Sequence, residues 1–310
     1  MPSISWRPSS IGLRSSAARR VLALGGVTAM VASVSGCSSA DMPRFGMLEP
    51  ATKEGNSILF LWQTSWVAAL IVGGITWGLI AWAIVAYSRR RNPGYPTQTR
   101  YNMPIEILYT VLPFVMIGVL FFYTVRDETR LTQLTSTYDN TINVVGFRWS
   151  WTFNYTDDDV YDIGIPATNN AEIDGQKTNG TPSLEGYTGP TLWLPVDEKV
   201  RFVLTSPDVI HSFYVPAFLF KMDVVPGRTN QFELTPNRVG TFAGKCAELC
   251  GLDHSRMLFN VKVVPRAEYD AHIAELRAKG QTGSLESPFI SDQADKGQGN
   301  NRLGGIGEKK

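Results

Sequence analysis

Sulfur and imidazole are scarce in this chain. Among 310 residues there are three cysteines and three histidines. An odd cysteine count rules out a fully paired disulfide framework. Neither sign of charge is in excess: 29 Lys and Arg stand against 28 Asp and Glu, a net charge of +1. That balance gives no electrostatic footprint for nucleic acid. Charge is also missing locally, over residues 58–87 and almost entirely over 105–125. The N-terminal third is therefore very apolar, while the remainder reads as a folded polar-surfaced domain.

Residues 1–36 have the layout of a secretory signal. Arg7, Arg14, Arg19 and Arg20 precede the apolar stretch "VLALGGVTAMVASV" (21–34). That stretch is short for a membrane span and of signal-core length. It ends in "VSGC", small residues directly before Cys37. This resembles a bacterial lipobox, so Cys37 is expected to be lipidated and to become the mature N-terminus. A cleaved signal with an incidental cysteine, or an uncleaved anchor, are the alternatives. Residues 37–57 form the segment before the first span.

"ILFLWQTSWVAALIVGGITWGLIAWAIVAY" (58–87) carries no charge and is expected to cross the bilayer, with Trp62, Trp82 and Tyr87 suited to its interfaces. A second helix is expected over 104–126, with Glu106 near its start and Pro113 inside it. The connecting loop, 88–103, holds four arginines and no acid. The positive-inside rule puts that loop in the cytoplasm and the chain after about residue 127 on the external face.

From residue 140 the texture is that of short strands. "TINVVGFRWSWTFNY" (141–155) alternates large and polar residues and reads as a strand. "TLWLPVDEKVRFVLTS" (191–206), "NQFELTP" (230–236), "GTFAGKC" (240–246) and "MLFNVKVVP" (257–265) read likewise. The series predicts an all-β sandwich or small barrel over 127–265. Residues 156–190, rich in Asp, Asn, Gly, Thr and Pro, form a long insert, either a solvated loop or a docking surface. A short amphipathic helix is expected over 266–280, carrying His272 as a surface histidine. Residues 281–310 are expected to be a disordered tail.

The scarce residue types are gathered in "KCAELCGLDHSRMLFN" (245–260), which holds Cys246, Cys250, His254 and Met257 at spacings of four, four and three. Gly251 at the centre and strand-like flanks argue for a loop over a helix face. Thiolate and thioether are soft donors that select copper, zinc or iron–sulfur, and imidazole suits copper and zinc. Zinc would more usually show paired CxxC knuckles, and methionine suits it poorly. A single blue-copper site needs one cysteine; two allow a bridged pair of coppers. A second histidine is supplied by His211 in "SPDVIHSFYVP" (206–216). The competing reading is a disulfide between Cys246 and Cys250, which leaves the neighbouring His and Met unexplained.

Over roughly residues 55–265 the chain resembles subunit II of the haem–copper cytochrome c oxidases: a two-helix membrane hairpin followed by a cupredoxin-like domain. "CAELCGLDHSRM" is similar to the family's dicopper (CuA) loop and "DVIHSF" to its upstream histidine segment. The resemblance implies that Cys246 and Cys250 bridge two copper ions and that His211 and His254 bind one each. Met257 and the carbonyl of Glu248 would complete the two sets, and the Glu248 side chain would reach a magnesium or manganese ion at the boundary with the catalytic subunit. "GFRWSW" (146–151) resembles the family's aromatic strand, which makes Trp149 the point where electrons enter. A core aromatic on a strand is the alternative for Trp149. "IEILYTVLP" (105–113) places Glu106 at the mouth of a proton path; an acid there could also simply sit among headgroups. "KMDVVPGRTNQ" (221–231) follows the family too, with Asp223 and Arg228 near the subunit boundary.

The implied partners are the catalytic subunit I with its haems, the other oxidase subunits, and membrane lipid. The implied donor is cytochrome c, or a cytochrome c domain of the quinol–cytochrome c reductase held in a supercomplex. The implied location is a bacterial plasma membrane and the implied reaction is oxygen reduction coupled to proton translocation. Three histidines are too few for the oxygen-reducing site itself, so that site belongs to another chain. A quinol-oxidase type of subunit II lacks the copper ligands. A nitrous oxide reductase would need a much longer, histidine-rich chain. A membrane-anchored copper carrier lipoprotein is the alternative from a different class.

Overall fold

A computed structural model of the chain describes residues 42–95, 97–164 and 190–285. The expected signal, Cys37, most of the insert and the end of the tail lie outside the described residues. Met42–Arg44 forms a 3-10 turn.

Helix α1 spans Gly55–Ala86 and helix α2 spans Met103–Thr132. Both are long and apolar enough to cross a membrane. At 1.5 Å per residue, thirty residues reach about 45 Å, more than the ~30 Å hydrocarbon core requires. Both helices thus exceed the apolar runs that predict them, α2 through the polar turn Arg126–Thr132. Its start is a reciprocal cap. Asn102 Oδ1 accepts the Ile105 N–H at 3.5 Å, and Glu106 Oε1 accepts the Asn102 N–H at 2.9 Å. Pro104 sits where a helix has no use for its missing donor.

Among the described residues, ten strands follow in two five-stranded sheets. The first has the order β3-β2-β1-β5-β8 and the second β4-β10-β9-β6-β7. Their bounds are β1 Asn140–Phe147, β2 Ser150–Tyr155, β3 Val160–Ile163, β4 Thr191–Pro195, β5 Val200–Thr205, β6 His211–Val215, β7 Phe220–Val224, β8 Asn230–Leu234, β9 Gly240–Cys246 and β10 Leu258–Val264. Parallel pairs β1–β5 and β4–β10 stand among antiparallel neighbours. Between the sheets lies an aromatic core. Phe213 stacks on Phe259 at 5.1 Å, Phe202 stacks on Phe232 at 4.8 Å, and the Trp151 ring meets Phe259 edge-on at 5.2 Å. Gly244 leaves room for that core, since a Cβ there would fall 2.1 Å from the Phe259 ring.

Four expectations need correction. Residues 141–155 are a hairpin, not one strand: Phe147 pairs with Ser150, and Arg148–Trp149 form its tip. Residues 191–206 are two strands in different sheets, because the chain turns at Val196–Lys199 and crosses the sandwich. Helix α3, Arg266–Ala278, buries His272, which is only 9% exposed and stacks on Trp193 at 4.3 Å. The apolar side of α3 carries Tyr269, Ile273 and Leu276 as well. Residues 281–285 do not dangle either. Thr282 bridges Val160, and Asn154 and Leu285 exchange two hydrogen bonds. Asn154 is buried and also bonds Asn143 Oδ1, and this short strap satisfies the rest of its amide.

Both helices are tied to the end of β8. Before α1, Glu54 accepts the Thr235 N–H at 2.8 Å, and Lys53 N–H donates to Thr235 O at 2.9 Å. After α2, Glu233 accepts the Thr135 N–H and hydroxyl while pairing with Arg201 at 2.6 Å. One strand end therefore receives both legs of the hairpin.

Candidate metal centre

Strand pairing creates the site. β9 ends at Cys246 and pairs antiparallel with β10, Lys245 opposite Leu258. The loop between them is closed by Cys246 N–H donating to Met257 O at 3.0 Å. Within it His254–Arg256 forms one 3-10 turn, started by His254 N–H on Gly251 O at 3.3 Å. β9 also pairs with β6, whose first residue is His211. Ala247 N–H donates to Ser212 O at 3.1 Å, drawing the loop over that strand. A histidine remote in sequence thus meets the cysteine loop.

The donor atoms converge. Cys246 Sγ lies 3.9 Å from Cys250 Sγ. It lies 3.9 Å from His211 Nδ1 and 3.2 Å from the carbonyl oxygen of Glu248. Cys250 Sγ lies 3.5 Å from His254 Nδ1 and 3.8 Å from Met257 Sδ. Each sulfur therefore has one imidazole and one weaker donor beside it. The cysteines are free, and their separation is about twice that of a disulfide bond. Met257 and His211 are fully buried, both cysteines nearly so, and His254 is half-buried. Such a cluster is dry enough to strengthen soft-metal bonds and to exclude hard oxygen-loving cations.

Electrostatics set the two thiols apart. The hydrogen bond from Cys250 is the main cause that holds the Cys246 thiol well below its usual range against the pull of burial; His211 and the backbone add to it. Cys250 is pushed up by the same contact and by burial. Burial works against protonation of His211, but hydrogen bonds to Asp208 and Cys246 outweigh it and raise its pKa. Burial likewise opposes ionisation of Asp208, yet the contacts with His211, Arg148 N–H and Val209 N–H hold it at about 2.

Asp208 is the site residue that sequence reasoning left unassigned. Its Oδ1 lies 2.9 Å from His211 Nε2. A carboxylate on Nε2 fixes the tautomer and leaves Nδ1 as the ligand atom. The usable signal was an aspartate three residues before a histidine on a Ser-Pro-Asp turn.

The other expected residues fall as follows. Trp149 is half-buried at the β1–β2 tip and donates its indole N–H to Cys250 O at 3.2 Å. The Glu248 side chain is exposed while its carbonyl faces Cys246. Asp223 sits on β7 opposite Ser212, with Lys221 Nζ at 3.5 Å, and Arg228 is exposed in the following turn. Glu106 stands apart from the cluster, at the end of α2 away from the sandwich.

Soft donors on the loop of a cupredoxin-like sandwich, carried by an apolar helical hairpin, define a membrane-anchored copper protein. The family model for "Cytochrome C oxidase subunit II, periplasmic domain" matches residues 140–264. The chain is 48% identical over 305 residues to the probable cytochrome c oxidase subunit 2 of Streptomyces avermitilis, spanning 88% of this chain and 92% of that protein. It is 33% identical over 296 residues to cytochrome c oxidase subunit 2 of Mycobacterium tuberculosis, spanning 83% and 81%. The periplasmic domain of subunit II of cytochrome oxidase from Bradyrhizobium japonicum is similar at 28% identity, over 46% of this chain and 96% of that one, with a TM-score of 0.38. The chain belongs to the cytochrome c oxidase subunit II family. It is a subunit of cytochrome c oxidase, an oxidoreductase complex, and works beside other oxidase subunits.

Proposed function

We propose that this chain takes single electrons from cytochrome c, or from a cytochrome c domain of a quinol–cytochrome c reductase, and passes them to haem in the catalytic subunit. The observation that carries this reading is the placement of two thiols 3.9 Å apart, each with its own imidazole and weak donor. That donor set fits two bridged copper ions, with Cys246 and Cys250 shared, His211 and His254 one each, and Met257 and the Glu248 carbonyl as the weak ligands. Copper held there supplies reversible one-electron storage.

The chain's own residues do the rest. The sandwich holds the donors so that little moves between redox states. Asp208 orients His211, and the buried aromatic core keeps water from the sulfurs. Trp149 offers its indole to the donor and contacts the cysteine loop behind it. The exposed Glu248 side chain is free to reach a magnesium or manganese ion at the boundary with the catalytic subunit. Glu106 is proposed to open a proton path; its bond to Asn102 N–H gives it a capping task as well, so Glu106→Gln should slow proton uptake while leaving α2 in place. Asp223 and Arg228 are proposed to face the subunit boundary. Cys37 is proposed as the lipid-bearing N-terminus, with the sandwich on the external face of a bacterial plasma membrane and the complex within a supercomplex. An added lipid mass on the mature chain checks the first of these.

The test is single-turnover electron flow in the purified oxidase. Reduced cytochrome c should reduce the copper centre before the haem, and Trp149→Ala should slow that first step. Haem reduction at an unchanged rate in Cys246→Ser oxidase would contradict the relay. A membrane-anchored copper carrier is the rival, and it predicts copper released to an acceptor instead of retained through redox cycles.

A further inference from the structure

We infer that Gly251 is a positioning residue for Trp149: its missing side chain lets the indole seat on the cysteine loop. The inference rests on the reading of Trp149 as the point where electrons enter.

The close approach of the Trp149 ring points to this, and the backbone of Gly251 is a separate reason for glycine there. Its backbone has φ +123°, a conformation that L side chains rarely adopt. Independently, a Cβ at this position would lie 3.2 Å from Trp149 Cζ2, 3.2 Å from Nε1 and 3.5 Å from Cε2. The ring therefore lies against the bare Cα, at the distance where a methyl group would push it away. The same ring donates its N–H to the carbonyl of the preceding residue, Cys250, at 3.2 Å. Cys250 is itself a donor of the metal cluster. Indole and sulfur are thus joined by one hydrogen bond and the covalent bonds of a single residue. A displaced ring would lose that short link.

The backbone that carries the indole is held as well. Arg148 N–H, next in the chain, donates to Asp208 Oδ2 at 2.8 Å, and the other oxygen of Asp208 holds His211. The hairpin tip is therefore tethered to both loops that supply metal donors. The contact with Gly251 depends on absent atoms, so one added methyl group there presses on the ring without removing any polar partner, while also straining a backbone at φ +123°. Gly251 O also receives the His254 N–H. A substitution could thus disturb His254 instead, and the test must separate the two routes.

The experiment uses the assembled oxidase in four forms: parent, Gly251→Ala, Trp149→Ala and the double variant. Three quantities are read: bound copper, the copper electron paramagnetic resonance spectrum, and the single-turnover rate of copper reduction by reduced cytochrome c. Gly251→Ala should keep its copper and its spectrum and reduce the rate by about ten-fold or more. In the Trp149→Ala background the same change should have no further effect, because its target is gone. A Gly251→Ala oxidase as fast as the parent overturns the inference, as does an equal slowing in both backgrounds. If Gly251→Ala loses copper, the double variant decides. Recovered copper means the methyl group acts through the ring, and copper still lost means it acts on the loop alone and overturns the inference. A Trp149→Ala oxidase at the parental rate instead refutes the reading of Trp149, a different failure from a slow Trp149→Ala beside a fast Gly251→Ala.

Discussion

The Asp208 carboxylate bridges two parts of the site: one oxygen lies 2.9 Å from His211 Nε2, and the other accepts the Arg148 N–H at 2.8 Å. The first bond dictates which imidazole nitrogen is left for metal. The second fixes the turn that carries Trp149. Val209 N–H and the Ser206 hydroxyl hold the carboxylate itself in place. A metal ligand and an aromatic tip far apart in sequence are thereby made one rigid unit.

Asp208→Ala should therefore weaken copper binding by about 10–100-fold, the usual effect of removing a partner that orients a ligating histidine. Competition with a copper chelator, on the full chain in detergent, reads this directly. Asp208→Asn can keep one hydrogen bond to Nε2 only by offering its carbonyl oxygen, and should fall between the parent and the alanine variant.

Gly244→Ala should destabilise the sandwich by about 1–3 kcal/mol, since Phe259 must leave its stack to make room. The midpoint of chemical unfolding should drop with little change in slope. An unchanged midpoint would mean that the core tolerates a shift of Phe259.

His272 predicts a pH dependence. Burial is the main cause that holds its pKa at about 4; Lys279 and Lys262 add to the effect and Glu275 opposes it. An unfolded histidine titrates near 6.5. Below that pH the unfolded chain takes up a proton that the folded ring refuses. Stability is thus full above about pH 6.5, declines as pH falls and has lost up to about 3 kcal/mol once pH is below 4. His272→Phe keeps the stack on Trp193 and should flatten this part of the stability–pH curve, measured by urea midpoints between these limits.

The junction at Glu233 should be sensitive to single changes. Arg201 is 15% exposed and Glu233 5%, and both also bind Thr135. Glu233→Ala leaves the guanidinium without its counter-charge and should cost about 3–5 kcal/mol, whereas replacing both partners by apolar residues should cost much less. Limited proteolysis between α2 and β1 should show the single variant cut faster than the double.

Much of this was legible in the sequence because it rests on local signals. Uncharged runs mark the helices, and rare residue types crowd into one loop around Cys246. What was missed depends on pairing across distance. Nothing in "GFRWSW" marks a tip between Phe147 and Ser150 until β1 folds against β2. Nor does "TLWLPVDEKVRF" show that Leu194 and Phe202 belong to opposite sheets. His272 reads as a surface residue because its partners, Trp193 and Tyr155, come from other strands. Asp208 leaves one local signal, its place three residues before His211, while Gly251 offers only empty space, which has no local pattern.

The most direct test of the central claim is the copper content of the full chain, purified in detergent and loaded with copper, together with its electron paramagnetic resonance spectrum. The account predicts two coppers per chain, with one unpaired electron shared equally by both nuclei. One copper with a single-nucleus pattern, or no copper with Cys246 and Cys250 oxidised to each other, would contradict it.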